Sequence, residues 1–101
     1  MVTSVTSGAN AAASITLVGS PSQRHKIQQI TWSYAAAPTG GRISTTGLEG
    51  DELDFDVTAG GPGGLALPPS AYGTVNGTVV VTIAAGSGAI VGKLSVFHEL
   101  E

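Results

Sequence analysis

The segment ITWSYAAAPTGGRIS, residues 30–44, decides the fold because it contains the end of one strand, a turn and the start of the next strand. Ile30, Trp32 and Tyr34 alternate with smaller polar residues, and this period of two is typical of a half-buried β-strand. Pro38 and the two glycines that follow it shortly are turn-forming residues. The segment therefore predicts a core strand, with Trp32 in the core, that is turned back so that the RIS stretch can pair in the next strand.

The residues just before this segment extend the same strand. Residues 24–34 are consistent with one long strand, but Ile27 has the wrong parity for the face that carries Ile30. Either Ile27 points outward, or a β-bulge near Gln28 and Gln29 returns it to the interior. We favour the bulge, because long strands in sandwiches often need one to bend.

Alternation with a period of two recurs along the rest of the chain, and turn residues separate the alternating segments at short intervals. No segment shows a capped helical pattern of about ten or more residues, so we expect no long helix. The pattern predicts an all-β fold, an antiparallel β-sandwich of jelly-roll type with about eight short strands. The alternating segments besides residues 24–34 are DELDFDVT, TVVVTIA, AIVGKLSVFH, ASITLVG and GRISTT.

Length and local composition predict one domain with two short appendages. A chain of 101 residues can bury a single core, which we assign to residues 13–99. Residues 1–12 are small and polar, so we expect a flexible arm that either frays or pairs with the sheet edge of a neighbouring subunit. Residues 100–101, Leu-Glu, match an expression-vector junction and are expected to lie outside the fold. The glycine-rich residues 59–73 are expected to cross between the sheets and to include a short strand, GLALP, with a ligand-binding loop as the alternative.

The composition argues against several classes of function. Charged residues make up only 11% of the chain, against roughly 25% in an ordinary soluble domain. Four cations and a net charge of −3 argue against a nucleic-acid partner. The longest near-apolar run, VVVTIAA, falls far short of the roughly 20 residues of a membrane span, and the first residues do not resemble a signal peptide. The absence of cysteine excludes disulfides, thiol catalysis and zinc–thiolate sites.

The candidate chemical residues do not form a recognisable site. Asp51, Asp54 and Asp56 offer oxygen ligands of the kind that calcium prefers, but their spacing does not match a calcium-binding loop. We favour the alternative that they are the outward residues of a strand, where charge discourages edge-to-edge aggregation. His25 and His98 lack the spacing of metal ligands, and we expect both at the surface. The sequence thus predicts no catalytic, cofactor-binding or metal-binding residue, and no enzyme.

Three apolar residues fall on the outward side of their strands. If the core residues of the last two strands face inward, Val80, Val91 and Phe97 face outward. Burying each such side chain is worth roughly 1.5–3 kcal/mol, so leaving them in water is unfavourable. We therefore predict that they contribute to a subunit interface. The alternative, given equal weight, is that a bulge changes the parity.

Residues 26–63 resemble segments of small proteins encoded among the structural genes of tailed bacteriophages and prophages. The shared features are a basic start, the W-S-Y strand, the P-T-G-G-R turn, the acidic alternating strand and a glycine–proline loop. The resemblance implies a virion component of jelly-roll or similar sandwich type, either a capsid decoration protein or a head- or tail-fibre module. It also implies a homo-oligomer, commonly a trimer, that binds the capsid or another virion protein, and no catalytic or cofactor residue.

Two other function classes remain open at the level of the sequence. A carbohydrate-binding or receptor-binding sandwich would use exposed aromatic side chains as stacking platforms, and Tyr72 and Phe97 are the candidates. An enzyme would have to use the carboxylates of residues 51–56, for which nothing else in the sequence argues.

Overall fold

The computed structural model describes residues 1–50, 52–68 and 70–101 and contains eight β-strands. No helix in this described part of the chain is long and apolar enough to cross a membrane. The strands are β1 (Val2–Thr6), β2 (Ala13–Leu17), β3 (His25–Tyr34), β4 (Arg42–Thr46), β5 (Asp54–Asp56), β6 (Gly61–Ala66), β7 (Val79–Ile83) and β8 (Gly92–Leu100).

The strands pair in a nested order and form two sheets. The first strand pairs with the last, β2 with β7, β3 with β6 and β4 with β5, all antiparallel. Two further pairings, β3 with β8 and β4 with β7, join these pairs into sheet A, ordered β1-β8-β3-β6, and sheet B, ordered β2-β7-β4-β5. This is a jelly-roll sandwich, so the predicted fold class is confirmed.

The core consists of the residues at every second position of the strands, where the two sheets face each other. Tyr34 is the largest of the fully buried side chains, and its hydroxyl donates to the carbonyl of Ala84 at 2.7 Å. The same oxygen accepts from the backbone N–H of Arg42 at 3.3 Å. Burial raises the pKa of the Tyr34 hydroxyl above its usual value. The other fully buried side chains are Ile27, Ile30, Ile43, Val79, Val81, Ile83, Leu94 and Val96.

The β-bulge in β3 is confirmed. The register between β3 and β8 shifts between Ile27 and Gln29, and Ile27 is fully buried. The bulge also lets β3 change neighbours: the carbonyl of Gln28 accepts from the N–H of Leu67 at 3.0 Å, whereas the N–H of Ile27 donates to the carbonyl of Ala71 at 2.9 Å. The extra residue therefore serves the packing of the core and the pairing of the strand edge.

Trp32 contacts the core from its rim. The indole is half-buried and packs against the ring of Phe55, with 5.3 Å between the ring centroids. Its strand partner in β6 is Gly63, where an added Cβ would lie 2.6 Å from the indole. A glycine at this position is what lets the large ring lie between the two sheets.

The chain ends differ from the expectation of a flexible arm at residues 1–12 and a remnant at 100–101 outside the fold. Residues 2–6 form β1, which pairs along its whole length with β8 of the same chain. Four of the five residues in VTSVT are β-branched, which favours a strand, and Val5 packs against the core. Leu100 is the last residue of β8 and pairs with His25, so the sandwich extends beyond the predicted residues 13–99.

The glycine-rich residues after β5 carry the chain from sheet B to sheet A, as predicted. The short strand of this segment begins earlier than expected, because β6 starts at Gly61 and includes Pro62. It forms one edge of sheet A.

Candidate functional site

The outer surface of sheet A, called face A, is built from short and mostly uncharged side chains. The hydroxyls of Ser4 and Ser95 lie 2.7 Å apart across two strands. The charged positions of face A lie at its two ends, Lys93 at one end and the cross-strand partners Lys26 and Glu99 at the other, so its central rows offer hydroxyl, amide and apolar groups without a charge. In cross-strand rows from β1 to β6, face A consists of Val2, Phe97, Gln29 and Ala66, then Ser4, Ser95, Thr31 and Gly64, then Thr6, Lys93, Ser33 and Pro62, and the pair Glu99 and Lys26 extends it beyond the row of Phe97.

The outer surface of sheet B, called face B, is similar in its centre but charged at one side. Arg42 of β4 forms a bidentate ion pair with Asp54 of the neighbouring strand. This hydrogen-bonded pairing lowers the pKa of the Asp54 carboxyl and raises the pKa of Arg42. Besides these two residues, face B consists of Ser14, Thr16, Ser44, Thr46, Asp56, Val80 and Thr82.

The structure does not bring the three predicted interface residues together. Val80 lies at the centre of face B and is half-buried, whereas Phe97 lies on face A and is 38% exposed. Val91 precedes β8, and its carbonyl accepts from the N–H of Ala35 at 3.0 Å. The outward orientation of Val80 and Phe97 is confirmed, while their role in a subunit interface stays a prediction that must now concern two opposite surfaces.

The expectation that His25 and His98 lie at the surface is wrong. They are only 7% and 6% exposed, and their rings meet edge to face with 6.4 Å between centroids. His25 has the parity of Ile27, and His98 has that of Val96, so the alternation directs both side chains inward. His25 donates from Nε2 to the carbonyl of Val18 at 2.7 Å, because a carbonyl can only accept.

His98 also links this pair of histidines to β1. The Nε2 atom of His98 hydrogen-bonds to the hydroxyl of Thr3 at 2.9 Å. Burial lowers the pKa of His98, and the positive charges of the terminal amine and of His25 lower it further. The Nδ1 atoms of both rings are buried without a hydrogen-bond partner.

The acidic segment forms structural contacts at its described positions. Asp54 and Asp56 point outward from β5, as the alternation predicts, and Glu52 accepts from the backbone N–H of Leu48 at 2.9 Å. Asp51 lies outside the described residues. Within residues 1–50, 52–68 and 70–101, no group of three or more histidine, aspartate or glutamate side chains is placed to hold a metal ion.

The ring of Tyr72 already has a cation against it. The guanidinium carbon of Arg24 lies 3.7 Å from the ring centroid, and Lys26 Nζ lies 5.7 Å from it. Such a cation–π contact occupies a ring face that a sugar would need for stacking. Of the two aromatic side chains considered for carbohydrate binding, Phe97 is therefore the more accessible.

A recess of about 460 Å³ opens beside the loops that flank β5 and β6. Its walls are mainly apolar, and Leu48, Leu53 and Leu67 contribute to them. Glu49 supplies a carboxylate and Ser70 a hydroxyl.

Sequence reasoning missed face A and the exposed edge of β1. The signal for β1 was present, since Val2 and Val5 are interleaved with β-branched threonine residues. Face A was harder to recognise, because its rows appear only when the order of the strands is known. In sequence, Ser4, Thr31 and Ser95 are far apart.

No protein-family model and no curated protein matches this chain. The chain is similar in structure to a de novo designed double-stranded β-helix, with 12% identity over 98% of this chain and 99% of that chain and a TM-score of 0.44. It is also similar to a carbohydrate-binding module solved with calcium and xylotriose, with 16% identity over 100% and 88% of the two chains and a TM-score of 0.45.

A third similar structure is that of the virus-like particle of the extra small virus of the giant freshwater prawn Macrobrachium rosenbergii. The identity is 15%, the coverage is 97% of this chain and 76% of that chain, and the TM-score is 0.39. At such low sequence identities and TM-scores, these similarities say nothing about function. The strand order itself shows that the chain is a small all-β sandwich.

Proposed function

We propose that this chain is a non-enzymatic structural protein of a bacteriophage or prophage particle, either a capsid decoration protein or a fibre-associated module. It acts in the virion, where it contacts copies of itself and the capsid or another virion protein. The bacterial host makes it in its cytoplasm before assembly.

The observation that carries this proposal is the chemistry of face A. Across the rows of Phe97 and Ser95, the surface bears hydroxyl, amide, glycine and apolar groups without a charge. A broad surface with few charges costs little to desolvate, and short side chains lose little conformational entropy when they are covered. Such a surface suits a protein that is largely covered by its neighbours.

The resemblance of residues 26–63 to virion proteins supports the same proposal. It also implies a homo-oligomer, with a trimer as the commonest form. The alternative of a carbohydrate-binding module has less support, because Arg24 lies against the ring of Tyr72. The described carboxylates give little support for an enzyme, because Asp54 is engaged by Arg42.

Co-sedimentation with purified particles tests the proposal. The particles are those of the phage or prophage whose genome encodes the chain, and mass spectrometry should find the chain among their proteins. Added protein should sediment with particles that lack it. The double substitution Thr31→Glu and Ser33→Glu on face A should abolish this binding, whereas Ser14→Glu with Thr16→Glu on face B serves as the matched control.

The proposal is contradicted if the chain is absent from the particles and the added protein stays in the supernatant. A glycan array provides the competing outcome. Saturable binding to one glycan that is lost in Phe97→Ala would favour the carbohydrate-binding function instead.

A further inference from the structure

The two lateral sides of the sandwich differ in how their edge strands are protected. Sheets A and B end in β1 and β2 on one side and in β6 and β5 on the other. An unprotected edge strand presents free N–H and C=O groups that can pair with another chain, and proteins commonly block such edges with charge or proline. A comparison of these edges therefore indicates where a partner can add. The edge strand β2, like β1, contains neither a charged residue nor proline, so the side formed by β1 and β2 is the open one.

The edge of β5 is protected by charge. Hydrogen bonds from β5 and its flanks to β4 involve the carbonyl of Leu53 and the N–H of Val57. Because backbone groups alternate in direction along an antiparallel strand, those of Asp54 and Asp56 face the open edge. Their carboxylates disfavour the approach of another strand, and β5 is only three residues long.

The edge of β6 is protected by proline. The N–H of Leu67, just after β6, donates to the carbonyl of Gln28 in β3. By the same alternation, Gly64 and Pro62 direct their backbone groups to the open edge. Pro62 has no N–H, so it removes one of the donors that an added strand would need.

The edge of β1 has neither form of protection. The N–H of Ser7 donates to the carbonyl of Gly92 at 2.8 Å, and the N–H of His98 donates to the carbonyl of Met1 at 2.9 Å. The odd-numbered residues of this segment thus bond to β8, and the even-numbered residues point away from it. The residues whose N–H and C=O groups face the open edge are Val2, Ser4 and Thr6.

Charge and exposed apolar area point to the same side. Residues 1–23 contain no charged side chain. Met1, Val2 and Val18 are 73%, 55% and 71% exposed, and Phe97 is the direct cross-strand partner of Val2. Most of the exposed large apolar residues of the described chain thus lie in β1, beside it or just after β2.

We propose that β1 pairs antiparallel with β1 of a second copy of this chain about a two-fold axis at Ser4. Val2 of each copy then lies opposite Thr6 of the other, and the two free edges satisfy each other because their alternation is identical. A neutral edge suits self-pairing, since no like charges are placed opposite one another. The inference rests on the proposed function, in that it names one contact by which copies of the module associate, and a two-fold contact of this kind gives a dimer in place of the trimer that the resemblance implies.

The substitution Ser4→Pro tests the edge directly. The N–H of Ser4 faces away from β8, so proline removes the central donor of the open edge without breaking a hydrogen bond of β1 to β8. Ser4→Ala is the matched control, because it removes the hydroxyl and keeps the N–H. In sedimentation velocity we expect a concentration-dependent dimer for wild type and Ser4→Ala, and a loss of affinity by about tenfold or more for Ser4→Pro.

Cysteine cross-linking tests the register. Opposed residues in a hydrogen-bonded antiparallel pair have Cα atoms about 5.5 Å apart, which is within the range of a disulfide. The chain has no cysteine, so Ser4→Cys should give a single disulfide-linked dimer on mild oxidation. Ser14→Cys, on the edge of β2, should give none.

The outcomes separate this inference from the proposed function. A wild-type monomer at all concentrations, a trimer that Ser4→Pro leaves intact, or cross-linking only through Ser14→Cys would overturn the β1 contact. Each of these is compatible with a chain that still co-sediments with particles. Failure to co-sediment contradicts the proposed function, whether or not the dimer forms.

Discussion

Deleting a single residue from β3 tests the register on which the fold depends. Ile27 and Ile30 are both fully buried, and two exposed residues separate them. If Gln28 is deleted, only Gln29 remains between them, and the strand becomes a regular in–out–in alternation that matches the existing partners in β8. We therefore expect the deletion of Gln28 to preserve the fold.

The cost of this deletion can be worked out from the contacts that the bulge makes. The hydrogen bond between the carbonyl of Gln28 and the N–H of Leu67 is lost. One such bond contributes about 1 kcal/mol, and the loop that contains Leu67 must adjust to the shortened strand. A loss of about 1–2 kcal/mol in the free energy of unfolding is expected.

Deleting Thr31 from the same strand should instead prevent folding, because it reverses the alternation of the strand before it. Ile27 and Ile30 would turn outward while Lys26 and Gln29 turned inward. Exposing two isoleucine side chains costs about 3–6 kcal/mol, and the burial of an unpaired lysine adds to this. The sum is comparable to the whole stability of a small domain, about 5–15 kcal/mol, so this variant should not fold.

Urea titration followed by the fluorescence of Trp32 measures both effects, because Trp32 is the only tryptophan and is half-buried beside Phe55. Gln28→Ala is the control for the loss of the side chain and should stay within about 0.5 kcal/mol of wild type. If the deletion of Gln28 destabilises the protein as much as the deletion of Thr31, the account of the bulge is wrong.

Three further predictions concern single side chains of the interior. Tyr34→Phe should lower the free energy of unfolding by about 1–3 kcal/mol in urea titration, because the carbonyl of Ala84 and the N–H of Arg42 lose the hydroxyl that they bond to. Gly63→Ala should cost about 1–3 kcal/mol by overpacking against Trp32, whereas Gly64→Ala, where a Cβ would lie 3.5 Å from its nearest neighbour, should be close to neutral. Because the pKa of His98 is lowered on folding, the unfolded chain binds its proton first as the pH falls. Stability should therefore decline below about pH 6.5, by at most about 1.4 kcal/mol per pH unit for this group, and His98→Gln should flatten the decline in thermal unfolding measured across this range.

The alternation of side chains made the interior predictable from the sequence. Leu94 and Val96 are buried while Phe97 is exposed, because neighbouring residues of a strand must point to opposite faces. The same rule located the bulge, since Ile27 and Ile30 could both be buried only if an extra residue lay between them. These inferences needed no knowledge of which strands pair.

The same rule would also have placed both histidines in the interior. His98 has the parity of Val96, and His25 that of Ile27. The expectation that polar residues lie outside was given more weight than the alternation, although a buried imidazole is tolerated where its N–H finds an acceptor such as the carbonyl of Val18. The contact between the two rings could not have been predicted, because it depends on the pairing of β3 with β8.

The association surfaces could not be predicted because they depend on strand order. Val80 and Phe97 show the same outward parity in sequence, yet they lie on opposite faces because β7 and β8 belong to different sheets. Likewise, the open edge of β1 exists only because β1 is the outermost strand of sheet A. Parity gives the side of a strand, whereas the sheet order gives its neighbours.

The absence of charge from the central rows of face A is not required by the fold. Thr31 and Ser95 point away from the core, and most substitutions at such surface positions change stability by no more than about 0.5 kcal/mol. Lysine or glutamate at these positions would therefore cost the folded state little, and charge would help to keep a free monomer apart from other molecules. Folding alone thus gives no reason for a surface of hydroxyl groups and glycine. Association with other subunits would give such a reason, because each charge on a surface that is covered in the assembly would have to be desolvated without a partner.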